Sequence, residues 1–228
     1  MPSTTSKRLE ETGLFRDFDN AAKQHLADCS HSQTFNDGEV IYQIGDESTA
    51  LYGVLAGAVK LLGEDTSGKF CLFGLTTPGR WFGDSSALDG YPRAQTTIAA
   101  GDTTVVKLLR SDLLQLLDRQ PELYRHFISV FCLRLRQAGK IFEEQAFLPV
   151  SVRLAKLLLR LHKVRSEYAI KLSQEDLAAS LGVTRQSISR VLKSWEKEAL
   201  IRISYGNVEI ENKTALQALL ASPMSEYL

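Results

Sequence analysis

The spacing of apolar residues along the chain changes character near residue 110. Before that position, short apolar runs alternate with glycines, which is the pattern of β-strands joined by turns. After it, apolar residues recur every three or four positions, which predicts helices. We therefore expect an α+β protein with a short helical pattern over Leu14–Leu26, in which Asp19 is a possible cap, then an antiparallel sandwich or barrel, and then a helical region.

The first region is predicted to contain six short strands. They are Val40–Tyr42, Leu51–Leu55, Val59–Leu62, Phe70–Leu75, Thr96–Ala99 and Thr104–Leu109. Most of the chain's 15 glycines lie between Gly38 and Gly101 and are interpreted as the turns between these strands. Residues 78–94 are interpreted as a glycine-rich connection that holds the carboxylate of Asp84 and the guanidinium of Arg93. This combination suits an anion site, and the alternative is a solvent-exposed turn with unrelated charges.

A long helix is predicted after a short one that Ser111 caps. The long helix runs from Glu122 to about Phe147 and ends before Pro149. Its apolar residues are spaced by four and three, the heptad pattern of a coiled coil. They are Tyr124, Ile128, Phe131, Leu135, Ala138 and Phe142. We expect this heptad seam to form a homodimer interface; the alternative is that it packs on its own β domain.

Residues 173–197 have the pattern of a helix-turn-helix unit. Ser173 and Asp176 are spaced almost as in a capping box, at the start of a short apolar-periodic helix. Gly182 permits the left-handed backbone that ends a helix, and Thr184 can cap the next one. In such a unit the second helix enters the DNA major groove. The alternative is an ordinary amphipathic helix pair.

The candidate DNA-binding residues share polar or basic chemistry that suits base edges or phosphates. They are Ser173, Thr184, Arg185, Gln186, Ser189, Arg190 and Lys193. Two short runs, Leu200–Ser204 and Asn207–Ile210, flank Tyr205-Gly206 and predict a hairpin, which makes the unit a winged one. The other elements predicted in this half are a helix over Val152–His162, a polar link over Lys163–Glu167 and a last helix over Thr214–Leu220.

Composition narrows the function classes. Lysine and arginine number 27 and so do aspartate and glutamate, so any affinity for nucleic acid must come from a local basic face. Three cysteines far apart argue against a disulfide framework and suit a reducing cytoplasm. The N-terminal residues lack the apolar core of a signal peptide, and no apolar run approaches membrane-spanning length. We expect a cytoplasmic protein with no membrane partner.

Signatures of catalysis and metal binding are absent from the sequence. It contains no nucleophile elbow, Walker loop or HExxH, and no carboxylate pair stands out. The four histidines are scattered without the spacing of metal ligands. We therefore expect a protein that is not an enzyme, with no catalytic residues and no metal site.

Several spaced motifs together resemble the cAMP receptor protein/FNR family of bacterial transcription regulators. They are Gly38-Glu39, Gly45-Asp46, Leu51-Tyr52 with Gly57, Phe82-Gly83, Leu88-Asp89-Gly90 with Pro92-Arg93, Ala146-Phe147-Leu148 and the helix over residues 185–192. The resemblance covers roughly residues 14–210. It implies a cyclic-nucleotide-binding-like β-roll (jelly roll) domain over residues 14–120, a dimerisation helix over 121–148 and a winged helix-turn-helix domain over 149–228.

The same resemblance implies a ligand site in the connection at residues 78–94, which corresponds to the family's phosphate-binding cassette. In the family, the cassette Gly presents its backbone to the ligand, the acid at the Asp84 position bonds the ribose 2′-hydroxyl, and the Arg at the Arg93 position pairs the cyclic phosphate. The implied ligand-binding residues are Gly83, Asp84, Ser85, Arg93, Ala94 and Arg134. The family acid is normally Glu and the residue after Arg is often Ser. Ala138 and Gly139 replace the two hydroxyl residues that hold adenine in the cAMP-responsive member, so cAMP is not secured as the effector.

The function implied is that of a homodimeric, sequence-specific transcription regulator controlled by a small ligand, with a cyclic nucleotide as the candidate effector. The expected partners are a palindromic double-stranded operator, a second copy of the chain and RNA polymerase. In the family, the oxygen-sensing branch holds an iron–sulfur centre with an N-terminal cysteine cluster, and a haem sensor needs an axial Cys or His near the cassette. The N-terminus here contains only Cys29, and residues 83–87 contain no Cys or His, so neither cofactor is expected. The alternatives are a ligand-independent DNA-binding regulator with a vestigial β-roll, and a ligand-binding regulatory subunit that acts through protein contacts.

Overall fold

The computed structural model describes residues 14–15, 18–64, 70–168, 173–204 and 207–220. The chain divides into two compact units, Met1–Gln137 and Ala138–Leu228, and each is described by itself. Within the described ranges, no helix is both long and apolar enough to cross a membrane. The domain bounds expected from the sequence remain predictions.

One six-stranded antiparallel sheet forms most of the first unit. Its strands are β1 (Ser30–Phe35), β2 (Val40–Tyr42), β3 (Ala50–Glu64), β4 (Phe70–Thr76), β5 (Trp81–Phe82) and β6 (Thr96–Leu109). The strand order is β1-β6-β3-β4, with β2 paired to β6 and β5 paired to β3. The long central strands β3 and β6 pair from Ala50 opposite Leu109 to Leu62 opposite Thr96. The short β5 lies within residues 78–94, the connection in which the ligand site was expected.

The sequence prediction wrongly divided β3 and β6 into two strands each. Gly57 lies inside β3 with φ at +74°, at a point where the pairing with β6 shifts register. A Cβ at this position would collide with the carbonyl oxygen of Asp102. Glycine therefore makes a β-bulge here rather than a turn between strands. The strand β1 was not predicted because its polar residues are mostly exposed and show no alternation of apolar and polar positions.

The helices of the first unit are α1 (Asn20–Asp28), α2 (Asp84–Asp89), α3 (Arg110–Arg119) and, after a 3-10 turn at Pro121–Leu123, the first part of the long helix α4 (Tyr124–Phe147). The cap at Asp19 is confirmed, because its side chain accepts from the backbone N–H of Ala22 at 2.7 Å, and α1 therefore begins at Asn20 rather than at Leu14. The predicted cap at Ser111 is wrong. The chain passes directly from β6 into α3 at Arg110, whose backbone N–H donates to Thr49 O at 2.8 Å.

Aromatic side chains hold the first unit together. Phe15 is fully buried, and its ring centroid lies 4.8 Å from that of Trp81 and 6.1 Å from that of Phe127. Trp81 belongs to β5 and Phe127 to the long helix, so this cluster joins the sheet to the start of α4. Edge-to-face pairs at these distances add to the free energy gained by burying the rings.

The second unit contains the rest of α4 and four further helices with a hairpin. They are α5 (Val150–Tyr168), α6 (Gln174–Leu181), α7 (Arg185–Lys197), β7 (Ile201–Ser204), β8 (Asn207–Ile210) and α8 (Lys213–Ala218). The predicted polar link over Lys163–Glu167 is wrong, because α5 continues through it. The hairpin is confirmed by the antiparallel pairing of β7 with β8. Its turn at Tyr205-Gly206 lies outside the described residues.

The core of the second unit is formed by apolar side chains from every helix except α4. The fully or almost fully buried members are Leu154, Ala155, Leu158, Leu177, Ala178, Ile188, Leu192, Trp195 and Leu216. Members of α7 are spaced by three and four, so one face of this helix is buried and the other is free. The predicted end of α4 is also confirmed, since the helix stops two residues before Pro149.

Candidate functional site

The candidate ligand site is built on a glycine turn that the sequence analysis treated as part of an irregular connection. Gly83 follows β5 with φ at +74° and precedes the short helix α2, which Gly90 ends with φ at +76°. A Cβ at Gly83 would lie 2.5 Å from Nη1 of Arg93 and 3.3 Å from the hydroxyl oxygen of Tyr42. Glycine is required here both for its backbone conformation and for the close approach of these two side chains.

Arg93 is buried beside this turn. Only 3% of the residue is exposed. Its Nη1 donates to the carbonyl oxygen of Gly83 at 3.0 Å, and its Nη2 donates to the carbonyl oxygen of Ala50. Its Nε has no hydrogen-bond partner among the described residues. The backbone of Arg93 is fixed as well, because it exchanges two 2.8 Å hydrogen bonds with Gly45 and Asp46.

The positive charge of Arg93 is not paired with any carboxylate of the described residues. The nearby acid Asp84, which is 2% exposed, is instead engaged by Arg134 of α4. Nη1 of Arg134 lies 3.0 Å from Oδ1 and 2.8 Å from Oδ2 of Asp84. A buried and unpaired cation costs several kcal/mol of desolvation, on the order of what a bound anion would recover. The site is therefore electrostatically complementary to an anion.

Aromatic rings form one wall of the site. Cζ of Arg93 lies 4.1 Å from the ring centroid of Tyr42 and 5.9 Å from that of Tyr52. Tyr52 stacks on Phe82 with centroids 5.4 Å apart. Burial raises the pKa of Tyr42 to about 12, although the neighbouring Arg93 cation acts in the opposite direction. Burial also raises the pKa of Tyr52. Tyr42 was not among the predicted ligand-binding residues, because nothing in its local sequence pattern distinguishes it from any other aromatic residue of a strand.

The structure brings together only part of the predicted ligand set. Gly83 contacts Arg93, and Asp84 pairs with Arg134, so these four residues form two adjoining pairs. Ser85 and Ala94 are exposed. Their roles in ligand binding remain predictions.

The helix-turn-helix has the local contacts that its sequence predicted. Asp176 N donates to Ser173 Oγ at 3.1 Å and Ser173 N donates to Asp176 Oδ2 at 2.8 Å, which completes a capping box at the start of α6. Gly182 ends α6 with φ at +63°. Ser187 N donates to Thr184 Oγ1 at 3.2 Å, so Thr184 caps α7. Both cap residues therefore have structural roles, and contact of either with DNA remains a prediction.

The outward face of α7 carries the candidate DNA-reading side chains. Arg185, Gln186, Arg190 and Lys193 are exposed and Ser189 is half-buried. An exposed row of donors and acceptors at the N-terminal end of the second helix is the arrangement that reads base edges in the major groove.

The wing is less suited to phosphate contacts. Nη2 of Arg202 lies 2.9 Å from Oε2 of Glu209, and its Nε lies 3.0 Å from Oε1 of Glu211. Two carboxylates therefore pair with one guanidinium, which leaves these three side chains with a net negative charge.

The heptad seam of α4 is divided between buried and exposed side chains. Tyr124 and Phe131 are partly buried against the core of the first unit. Ile128, Leu135 and Phe142 are 59%, 73% and 74% exposed. The alternative in which the whole stripe packs on its own β domain is therefore wrong for Ile128 and Leu135, which lie in the first unit.

A β domain with a turn that is electrostatically complementary to an anion and a winged helix-turn-helix in one chain define a DNA-binding regulator controlled by a ligand. Two family models match the chain: the cyclic nucleotide-binding domain over residues 32–120 and the Crp-like helix-turn-helix domain over residues 152–219. With these matches and the relatives below, the chain belongs to the CRP/FNR family of bacterial transcription regulators.

The relatives cover most of the chain. It is 31% identical over 182 residues to the cyclic AMP receptor protein of Thermus thermophilus, with 80% of this chain and 84% of that protein covered. It is 24% identical over 215 residues to the CRP-like cAMP-activated global transcriptional regulator of Mycobacterium tuberculosis, with 91% and 96% covered. Among solved structures, it is similar to the catabolite activator protein of Thermus thermophilus with a TM-score of 0.54 at 28% identity, covering 92% of this chain and 99% of that one. Regulators of this family bind DNA and act as dimers.

Proposed function

We propose that the effector of this regulator is a cyclic nucleotide whose phosphate binds Arg93 at the Gly83 turn. The observation that supports this proposal is the buried guanidinium of Arg93, which has two carbonyl partners, no carboxylate among the described residues and a free Nε. A guanidinium presents a planar fork of donors that suits two oxygens of one phosphate. Asp84 lies next to the turn and supplies the acceptor that a ribose hydroxyl needs.

The residues of the site determine the base of the nucleotide less closely than its phosphate. Ala138 and Gly139 offer no side-chain hydrogen bond to a base, and both are exposed on α4. A polar base edge left without a partner costs about 1–3 kcal/mol, which is one or two orders of magnitude in affinity. The names of the Thermus and Mycobacterium relatives include cyclic AMP, so cAMP belongs among the effectors to be tested. We infer that it binds more weakly here than in a site with both hydroxyl residues.

Dimerisation through α4 and DNA recognition through α7 complete the proposal. Ile128, Leu135 and Phe142 would form the seam between two copies, and each copy would place one α7 in the major groove of a palindromic operator. RNA polymerase would be the further partner of the complex on DNA. The expected cytoplasmic location agrees with this role, since a bacterial regulator meets its operator there.

The test is a thermal-shift panel with cyclic AMP, cyclic GMP and cyclic di-GMP. A ligand selective for the folded state must raise the unfolding midpoint. Arg93→Gln removes the buried charge and should abolish the shift, whereas Arg80→Gln removes an exposed arginine of the same unit and should leave it intact. Equal shifts in the Arg93 and Arg80 variants would show that the nucleotide binds elsewhere. An absence of any shift in the unmodified protein would contradict the assignment of the effector.

A further inference from the structure

Tyr42 is the aromatic side chain nearest to the charge of Arg93. It ends β2, and its ring centroid lies 4.1 Å from Cζ of Arg93. A cation within about 6 Å of a ring centroid is attracted by the negative face of the ring, and the attraction is stronger where water is excluded. Arg93 is almost fully buried, so water screens this contact little.

The phenol of Tyr42 stays neutral over the whole working range of pH. Its pKa is raised to about 12, chiefly by burial. The contact with Arg93 is therefore that of a cation with a neutral ring, and it does not neutralise the guanidinium. The charge remains available to an anion.

The position of the guanidinium leaves donors free for a ligand. A guanidinium has five N–H donors. One on Nη1 is used by Gly83 O and one on Nη2 by Ala50 O, while the Nε donor has no partner among the described residues. Three of the five donors are therefore left for a phosphate at the Gly83 turn. A side chain that is already held in its binding conformation loses less entropy when the ligand arrives.

We propose that Tyr42 is a positioning residue of the effector site, whose ring holds the Arg93 guanidinium against the Gly83 turn with its free donors directed to the phosphate of the ligand. This inference rests on the proposed binding of a cyclic nucleotide at Arg93. The hydroxyl group of Tyr42 is not needed for this role, whereas the ring is. A phenylalanine at position 42 should therefore preserve the affinity for the ligand, and an aliphatic residue there should not.

The experiment is a calorimetric titration with cyclic AMP and cyclic GMP of the full-length protein and its variants. Tyr42→Phe keeps the ring and should bind within about threefold of the unmodified protein. Tyr42→Leu removes the ring and should weaken binding by about tenfold or more, with Tyr42→Met as the substitute if the leucine variant does not fold. Unfolding midpoints measured for each variant separate a loss of affinity from a loss of folding.

A double-mutant cycle shows whether Tyr42 acts through Arg93. Arg93→Gln removes the cation, so in urea unfolding Tyr42→Leu should cost less stability in that background than in the unmodified protein. Equal costs in both backgrounds, unchanged affinity of Tyr42→Leu, or equal losses of affinity in Tyr42→Phe and Tyr42→Leu would each overturn the inference.

If Arg93→Gln abolishes binding while all Tyr42 variants bind normally, the inference fails and the effector site stands. If Arg93→Gln binds normally, or if neither nucleotide binds the unmodified protein, the effector site fails and the inference with it.

Discussion

Replacing Leu135 and Phe142 together by Asp should convert the protein into a monomer. Fully burying a Leu or Phe side chain is worth about 1.5–3 kcal/mol. The two residues are 73% and 74% exposed in the single chain, so each has about 1–2 kcal/mol still to gain at an interface. Two copies of two side chains give about 4–8 kcal/mol, and four buried carboxylates would add a desolvation cost. The dissociation constant should therefore rise by at least about a thousandfold.

Sedimentation velocity over a range of protein concentrations measures this change. Leu133→Asp provides the matched control, because Leu133 is 51% exposed on the same helix but lies outside the heptad seam. The control should sediment as the unmodified protein does. Circular dichroism should be alike in all three proteins, since the substituted positions are exposed in the single chain. A double variant that remains a tight dimer, or a control that dissociates equally, would refute the assignment of the seam.

Two further predictions concern the recognition helix and alkaline pH. In cAMP-responsive and oxygen-sensing members of the family, a Glu stands at the position of Gln186. A Glu side chain can only accept, which suits the cytosine amino group, whereas Gln both donates and accepts, which suits adenine. The operator should therefore lose a strict C·G requirement at the base pair that faces Gln186. Gln186→Glu should restore that requirement with a discrimination of about 1–3 kcal/mol. In vitro selection of random duplexes at one fixed salt concentration should then yield different motifs for the unmodified protein and the Gln186→Glu variant. Identical motifs would show that Gln186 reads no base. The pKa of Tyr42 in the folded state is about 12 and lies above its ordinary value of 10.0, so the folded state favours the neutral phenol. The contribution of the neutral phenol to the free energy of unfolding is therefore full below pH 10 and is lost as the pH rises toward 12. Tyr42→Phe should reduce the loss of stability over that window by on the order of 2 kcal/mol in urea unfolding, and equal losses in the two proteins would contradict the burial of the phenol.

The helix-turn-helix could be predicted closely because its signals are local. The capping box joins Ser173 to Asp176, and the cap of α7 joins Thr184 to Ser187, each within one helical turn. The left-handed glycine at the end of α6 is likewise a property of a single position. Such contacts depend little on the rest of the fold, so the residue pattern alone indicates them.

The sequence indicates the residues of the proposed ligand site but not their geometry. Arg93 is far in sequence from Ala50, whose carbonyl oxygen accepts from its Nη2, and from Tyr42, whose ring it covers. These contacts exist only after β2, β3 and the Gly83 turn have come together, and no local pattern encodes them. Replacing Arg93 by Ala would remove the donors from which the carbonyl oxygens of Gly83 and Ala50 accept. The buried guanidinium makes a loss of stability the expected result, and Arg93→Gln the better test.

Asp84 and Arg134 give the effector a physical connection to the long helix within the first unit. Asp84 is the acceptor proposed for the ribose, and it is also paired with Arg134. An ionised carboxylate has about four lone-pair sites, so a ribose hydroxyl can share it with Arg134, but each additional partner weakens the hold on the first. Asp is one methylene shorter than the Glu of the family, so the ligand must approach α2 more closely to reach it. Arg134 immediately precedes Leu135 of the heptad seam. Under the proposed function, a ligand that takes up Asp84 would change how closely Arg134 is held beside that seam, which would connect the Gly83 turn to the helix on which the proposed dimer depends.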